Sequence, residues 1–233
     1  MGGRETARFS ISLIARFYPL VSVTALIFCG VVAATSQQPA ETKPEQEPKK
    51  ANARVEPTRA VEPFDGASIE KLAAQCVKLE TEAGNIDIEM LAEMAPETVR
   101  NFLNLVSIGA FDTTTFSRVV PRFVIQGGNL ATRQNLTEEM YRRSQRTVPD
   151  EPSIIKHVRG IVSMARPEES NSATSHFFIL VADAANLNGK FSAFGRVRSG
   201  MEVADQINQG PVNGEKPERP VRLNRVSVKP CSQ

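Results

Sequence analysis

Val77-Lys-Leu-Glu-Thr-Glu82, then Ala83-Gly84-Asn85, then Ile86-Asp-Ile-Glu-Met90 decide the fold class of this chain. Both outer runs alternate apolar and polar residues, the period of a half-buried strand, and the three residues between them have turn chemistry. The stretch reads as a β-hairpin. Downstream, Pro96 opens a helix at the position where its missing N–H costs nothing. Val99, Phe102, Leu103 and Val106 then recur at helical spacing, and Gly109 ends the element. Short apolar runs bounded by turn residues follow at 115–120, 123–126, 160–165, 177–181, 193–197 and 223–228, with a short helix over 201–207. Many short strands and two clear helices argue for a closed barrel or sandwich over a βαβ sheet.

Composition narrows the function classes. In 233 residues, 41% are hydrophobic and 23% charged, which fits a globular chain and excludes a wholly disordered or fibrous one. A net charge of +2 gives no electrostatic reason for nucleic-acid binding. Three cysteines without a Cys-x-x-Cys pair and two histidines give no metal site. There is no Gly-x-Ser-x-Gly and no recognisable Ser-His-Asp arrangement, so a hydrolase has little support.

The N-terminal third is different in kind. Arg4, Arg8 and Arg16 precede an uncharged run from Leu20 to Ala34 that ends Val32-Ala33-Ala34. Basic start, apolar run and small residues are the layout of a secretory signal, here over 1–35. Export with cleavage after Ala34 is the favoured reading. An uncleaved membrane anchor, a buried helix, and a lipid anchor on Cys29 (disfavoured by bulky Phe28) are the alternatives. Residues 36–68 carry Pro39, Pro44, Pro48, Pro57 and Pro63 among Glu, Lys, Gln and Ala. With no apolar periodicity to bury, they read as a disordered tether or an inert leader. The working domain is then 69–233.

Three segments in that domain carry more than periodicity. They are Phe116-Ser-Arg-Val-Val-Pro-Arg-Phe-Val-Ile-Gln-Gly-Gly128; Gly160-Ile-Val-Ser-Met-Ala165 continuing through Asn171-Ser-Ala-Thr-Ser-His-Phe-Phe-Ile179; and Asn186-Leu-Asn-Gly-Lys-Phe-Ser-Ala-Phe-Gly195. In this order and spacing they resemble the cyclophilins, the cyclophilin-type peptidyl-prolyl cis-trans isomerases, and the likeness extends over about 76–230. The resemblance implies a mainly β fold: a closed eight-stranded antiparallel β-barrel capped by two helices, with the substrate in a groove on its outer face.

It also implies a site. Arg118 matches the catalytic arginine. Phe123, Val124, Phe178 and Leu187 match the proline pocket, and Gln126 matches a residue that bonds the substrate carbonyl and orients the arginine. Met164, Ala165 and Arg166 match the groove edge, where backbone pairs with an extended peptide. His176 stands where the family usually has Gln, and Phe191 where many members have His. The charged stretch 130–148 replaces a Gly-rich loop; its Arg142, Arg143 and Arg146 read either as a solvated face or as a preference for acidic substrates. Cys76 and Cys231 flank the first and last strands, neighbours in the family barrel, and are a disulfide candidate in an oxidising compartment. The implied activity needs no cofactor and no metal. Its substrates are proline-containing polypeptides, and it acts as a monomer touching membrane only through an uncleaved N-terminus. The alternative is a non-catalytic cyclophilin-fold module that binds proline-containing peptides through the same groove.

Overall fold

The structure is a computed structural model that describes residues 61–231. The segment read as signal or anchor over 1–35, and the tether as far as residue 60, lie outside the described residues. A one-turn helix, α1 (Ile69–Ala73), leads into the hairpin β1 (Gln75–Thr81) and β2 (Gly84–Met90). Val77 faces Ile88 and Leu79 faces Ile86 across the pair, and all four are buried. The turn is tighter than the sequence suggests. The Thr81 hydroxyl donates to the Gly84 carbonyl (2.7 Å) and accepts from the Ala83 N–H (3.0 Å). That side chain does the turn's work, so Asn85 already belongs to β2.

Helix α2 (Pro96–Ser107) begins at its proline as expected. Its N-cap, Ala95, has no side chain to offer. The orphan N–H groups of Glu97 and Thr98 donate instead to the Glu151 carboxylate, at 3.0 and 2.8 Å, which also places an anion at the positive end of the helix. The chain continues through β3 (Arg118–Val120), β4 (Val124–Gly127), α3 (Glu138–Ser144), β5 (Ile161–Met164), β6 (Phe177–Leu180), β7 (Ala193–Ser199), α4 (Met201–Asn208), the short pair β8 (Val212–Asn213) and β9 (Lys216–Pro217), and β10 (Leu223–Pro230).

Eight strands form one antiparallel sheet in the order β10-β1-β2-β7-β5-β6-β4-β3. The fold is mainly β, as expected, but the barrel is open: ladder pairing stops at β3 and does not return to β10. Across the gap run an isolated bridge between Thr115 and Arg222 and separate backbone bonds, such as Phe116 N–H to Val221 (3.0 Å). The cause is local. β3 is only three residues long, and the approach to β10 contains Pro211, Pro217 and Pro220, which have no N–H for a ladder.

Two further expectations need correction. Besides α2 and α4, the described residues hold α1 and α3, of five and seven residues, too short to show a helical apolar period. The domain also starts before residue 69. Phe64 belongs to the core, and its N–H donates to Asn104 Oδ1 at 2.8 Å. Buried Glu62 accepts from the buried Arg143 guanidinium of α3 and from Arg146 (3.2 Å). In the segment 130–148, then, Arg143 is an internal tie rather than a solvated charge. Arg142 stays exposed beside Glu138.

The sheet buries its inner face and, around β4 to β7, part of its outer face as well. Inward residues form one core around Phe102, whose ring lies 4.8 Å from Phe194, 5.3 Å from Phe111 and 5.4 Å from Phe177. Outward residues Val124, Ile161, Phe178, Leu180 and Ala193 form a second cluster, with Phe123, Leu187 and Phe191 packed against it. Cys76 and Cys231 are joined by a disulfide with Cα atoms 4.9 Å apart, where β1 meets β10.

Candidate active site

The pocket is built on the second cluster. On β6, Phe177 points inward and Phe178 outward, because alternate strand residues face opposite sides. On β4 the same alternation turns Val124 and Gln126 outward and Ile125 inward. The loop 184–191 then brings Leu187 and Phe191 over this face. The result is a concavity of about 210 Å³ lined by Arg118, Phe123, Val124, Gln126, Ala165, Arg166, Phe178, Leu187 and Phe191. Phe178 and Phe191 meet edge to face at 6.1 Å, which gives the floor two aromatic walls.

The polar rim is held by its own partners. Arg118, on β3, donates from Nη1 to Gln126 Oε1 at 3.1 Å, the two residues lying opposite each other in the β3–β4 ladder. It donates from Nε and Nη2 to Glu215, at 2.6 and 3.2 Å. The Glu215 carboxyl is held below the usual carboxylate range, first by those hydrogen bonds and then by the charge of Arg118. Across the pocket, Arg166 lies 5.4 Å from the centre of the Phe191 ring, pairs with Asp150 at 3.0 Å, and donates to the carbonyls of Pro167, Glu168 and Glu169.

Of the eleven site residues expected from the sequence, the pocket gathers nine, Arg118, Phe123, Val124, Gln126, Ala165, Arg166, Phe178, Leu187 and Phe191, and leaves Met164 and His176 aside. The Met164 side chain is buried in the inner core, and its N–H donates to Ser192 at 3.1 Å. The Ala165 N–H donates to the His176 carbonyl at 2.9 Å. Those two donors are therefore spent within the protein. His176 is half-buried beside Gly128, whose φ of +83° and 2.2 Å approach of the Ser175 carbonyl to a Cβ built there admit no side chain. Burial pushes the His176 imidazole below its ordinary pKa.

Sequence reasoning missed two residues at this site. Glu215 sits in the turn between β8 and β9, 97 residues from Arg118. Asn208, at the end of α4, is buried and brackets the β3–β4 turn: its Nδ2 donates to Val120 (2.9 Å) and Val124 (3.0 Å), and its Oδ1 accepts from Arg122 N–H (2.7 Å). This bracket holds Arg122 at φ +60°, a strained value for a residue with a side chain, and so sets Arg118 and Phe123 on either side of the turn. No local pattern marks either residue.

A family model described as cyclophilin-type peptidyl-prolyl cis-trans isomerase matches residues 76–228. The chain belongs to the cyclophilin-type peptidyl-prolyl cis-trans isomerase family. It is similar to peptidyl-prolyl cis-trans isomerase A of Dickeya dadantii, at 36% identity over 65% of this chain and 83% of the relative. Similarity to a peptidyl-prolyl cis-trans isomerase of Acinetobacter baylyi is 35%, over 70% and 89%. Among solved structures, a Cryptosporidium parvum cyclophilin in the presence of the dipeptide Ala-Pro superposes with a TM-score of 0.59 at 28% identity, covering 66% of this chain and 98% of that one. This cyclophilin is accordingly an enzyme, a peptidyl-prolyl cis-trans isomerase.

Proposed function

We propose that this cyclophilin speeds X-Pro rotation during the folding of exported proteins, acting as a monomer, with Arg118 stabilising the twisted amide. The observation that carries the reading is a guanidinium fixed at the rim of an aromatic-walled pocket. A peptide bond resists rotation by about 18–20 kcal/mol because resonance gives its C–N bond double-bond character. Twisting returns a lone pair to the proline nitrogen. A donor already aimed at that nitrogen binds the twisted state better than either planar one.

The parts divide the work. Phe123, Phe178, Leu187 and Phe191 hold the proline ring. Of the five guanidinium N–H groups of Arg118, three are engaged by Glu215 and Gln126, which leaves two for substrate. Gln126 keeps its amide N–H groups for a substrate carbonyl. The Ala-Pro dipeptide of the Cryptosporidium parvum structure supports a proline-containing ligand for this groove. Export draws support from the basic and apolar N-terminus and from the Cys76–Cys231 disulfide, a bond that persists in oxidising compartments.

The test is a protease-coupled isomerisation assay on a short Ala-Pro peptide. Arg118→Ala loses one transition-state donor and slows kcat/KM by about 10²–10³ while the circular dichroism spectrum stays native. A variant as fast as the parent removes Arg118 from the mechanism.

A further inference from the structure

Glu215 is placed by the backbone. The Val119 N–H donates to the Glu215 carbonyl at 2.8 Å, which sets the turn between β8 and β9 against β3. Gly214, just before it, has φ +64°, the left-handed value this tight turn needs. Glu215 and Arg118 therefore project from adjacent points on two segments that are pinned together. The carboxylate takes two N–H groups from one side of the guanidinium, and Gln126 takes a third from the other nitrogen.

The pair is a poor stabiliser. Its side chains are 40% and 56% exposed, and ion pairs so open to water contribute little to folding. Orientation is another matter. Arginine has long rotamer-rich chemistry behind its planar head, and a two-point carboxylate contact fixes the plane of that head as one contact cannot. Gln126 alone leaves the plane free to swing about a single bond.

We propose that Glu215 is a positioning residue that fixes the Arg118 guanidinium for the isomerisation step. This rests on the reading of Arg118 as the transition-state donor. Glu215 touches no substrate; it acts through Arg118 alone. Its loss therefore lowers the rate of the chemical step and leaves peptide affinity nearly unchanged.

The experiment is a double-mutant cycle in the isomerisation assay, with kcat and KM separated and arginine Nε resonances followed by NMR. Glu215→Ala lowers kcat about 5–20-fold, with KM within about two-fold, since small misplacements of a reacting group cost up to about 10²-fold. Glu215→Gln, which keeps an acceptor, recovers part of the loss. The Arg118 Nε–H signal is sharp in the parent, broadens in Glu215→Ala and returns in Glu215→Gln. In an Arg118→Ala background, Glu215→Ala has no further effect, because the two residues act as one unit. The thermal midpoint stays near the parent's throughout. If Arg118→Ala is slow but Glu215→Ala matches or exceeds the parent, the positioning role is overturned while the reading of Arg118 stands. Equal losses with and without Arg118 overturn it too. If Arg118→Ala itself is as fast as the parent, the reading of the site fails first.

Discussion

Phe177 and Phe178 are neighbours on β6 with opposite surroundings. Phe177 is fully buried in the inner core, 5.4 Å from Phe102 and 5.6 Å from Phe111. Phe178 lies on the outer face, against Phe191, and walls the pocket beside Arg118. One pleated strand thus packs into the core on one side and lines the candidate pocket on the other. Stability should depend mainly on the first face and catalysis on the second, and the division can be tested from both ends.

The largest effect belongs to the inner face. Phe102 makes ring contacts with three other phenylalanines. Phe102→Ala costs about 3–5 kcal/mol, since it removes the side chain and leaves a cavity. Urea unfolding measures it, and the isomerisation rate per folded molecule stays near the parent's. A large loss of rate among molecules that remain folded would break the division.

The disulfide is next. Cys76 and Cys231 lie 155 residues apart in sequence at the seam of β1 and β10. Replacing both by Ser removes about 2–4 kcal/mol, chiefly by freeing the unfolded chain. The seam is remote in the sheet order from β4 and β6, so kcat/KM is unchanged. Urea midpoints of the oxidised parent and the double variant, with kinetics on both, check this.

The smallest effect concerns pH. Burial pushes His157 and His176 below their ordinary pKa, with an Asn188 hydrogen bond partly opposing this at His157. His157 Nε2 lies 2.9 Å from the Ser163 hydroxyl beneath the outer face. Above the unfolded value of about 6.5 both rings are neutral in either state, and their contribution is fully present. As pH falls below that value the unfolded chain takes up protons that the folded one resists, so stability declines toward the folded pKa values. Unfolding midpoints between pH 8 and 5 should fall only on the acid side, and His157→Gln with His176→Gln should flatten the slope. An equal slope in the double variant assigns the dependence to other groups.

How much of this was legible in the sequence depends on how far each contact reaches. The β1–β2 hairpin and α2 follow from periods within a dozen residues. The split of Phe177 from Phe178 follows from strand alternation once β6 is recognised. The motif resemblance pointed to nine of the pocket residues, because those motifs carry the pocket. Glu215 and Asn208 reach Arg118 and its turn across 97 and 86 residues, and nothing near either in sequence announces it. The open seam of the barrel was hidden for a similar reason: it follows from which backbone donors the prolines before β10 withhold. Arg143 looked like a surface charge until Glu62, upstream of the expected domain start, proved to be its partner.

The most direct test of the central claim is kcat/KM for an Ala-Pro peptide, corrected for the folded fraction, in Phe178→Ala and Phe177→Ala. The account predicts a loss of about 10-fold or more for Phe178→Ala, as expected when an apolar wall leaves a binding pocket. Phe177→Ala, although the less stable protein, should stay within about two-fold of the parent. Equal losses in the two variants, or a greater loss in Phe177→Ala, would contradict the assignment of binding to the outer face.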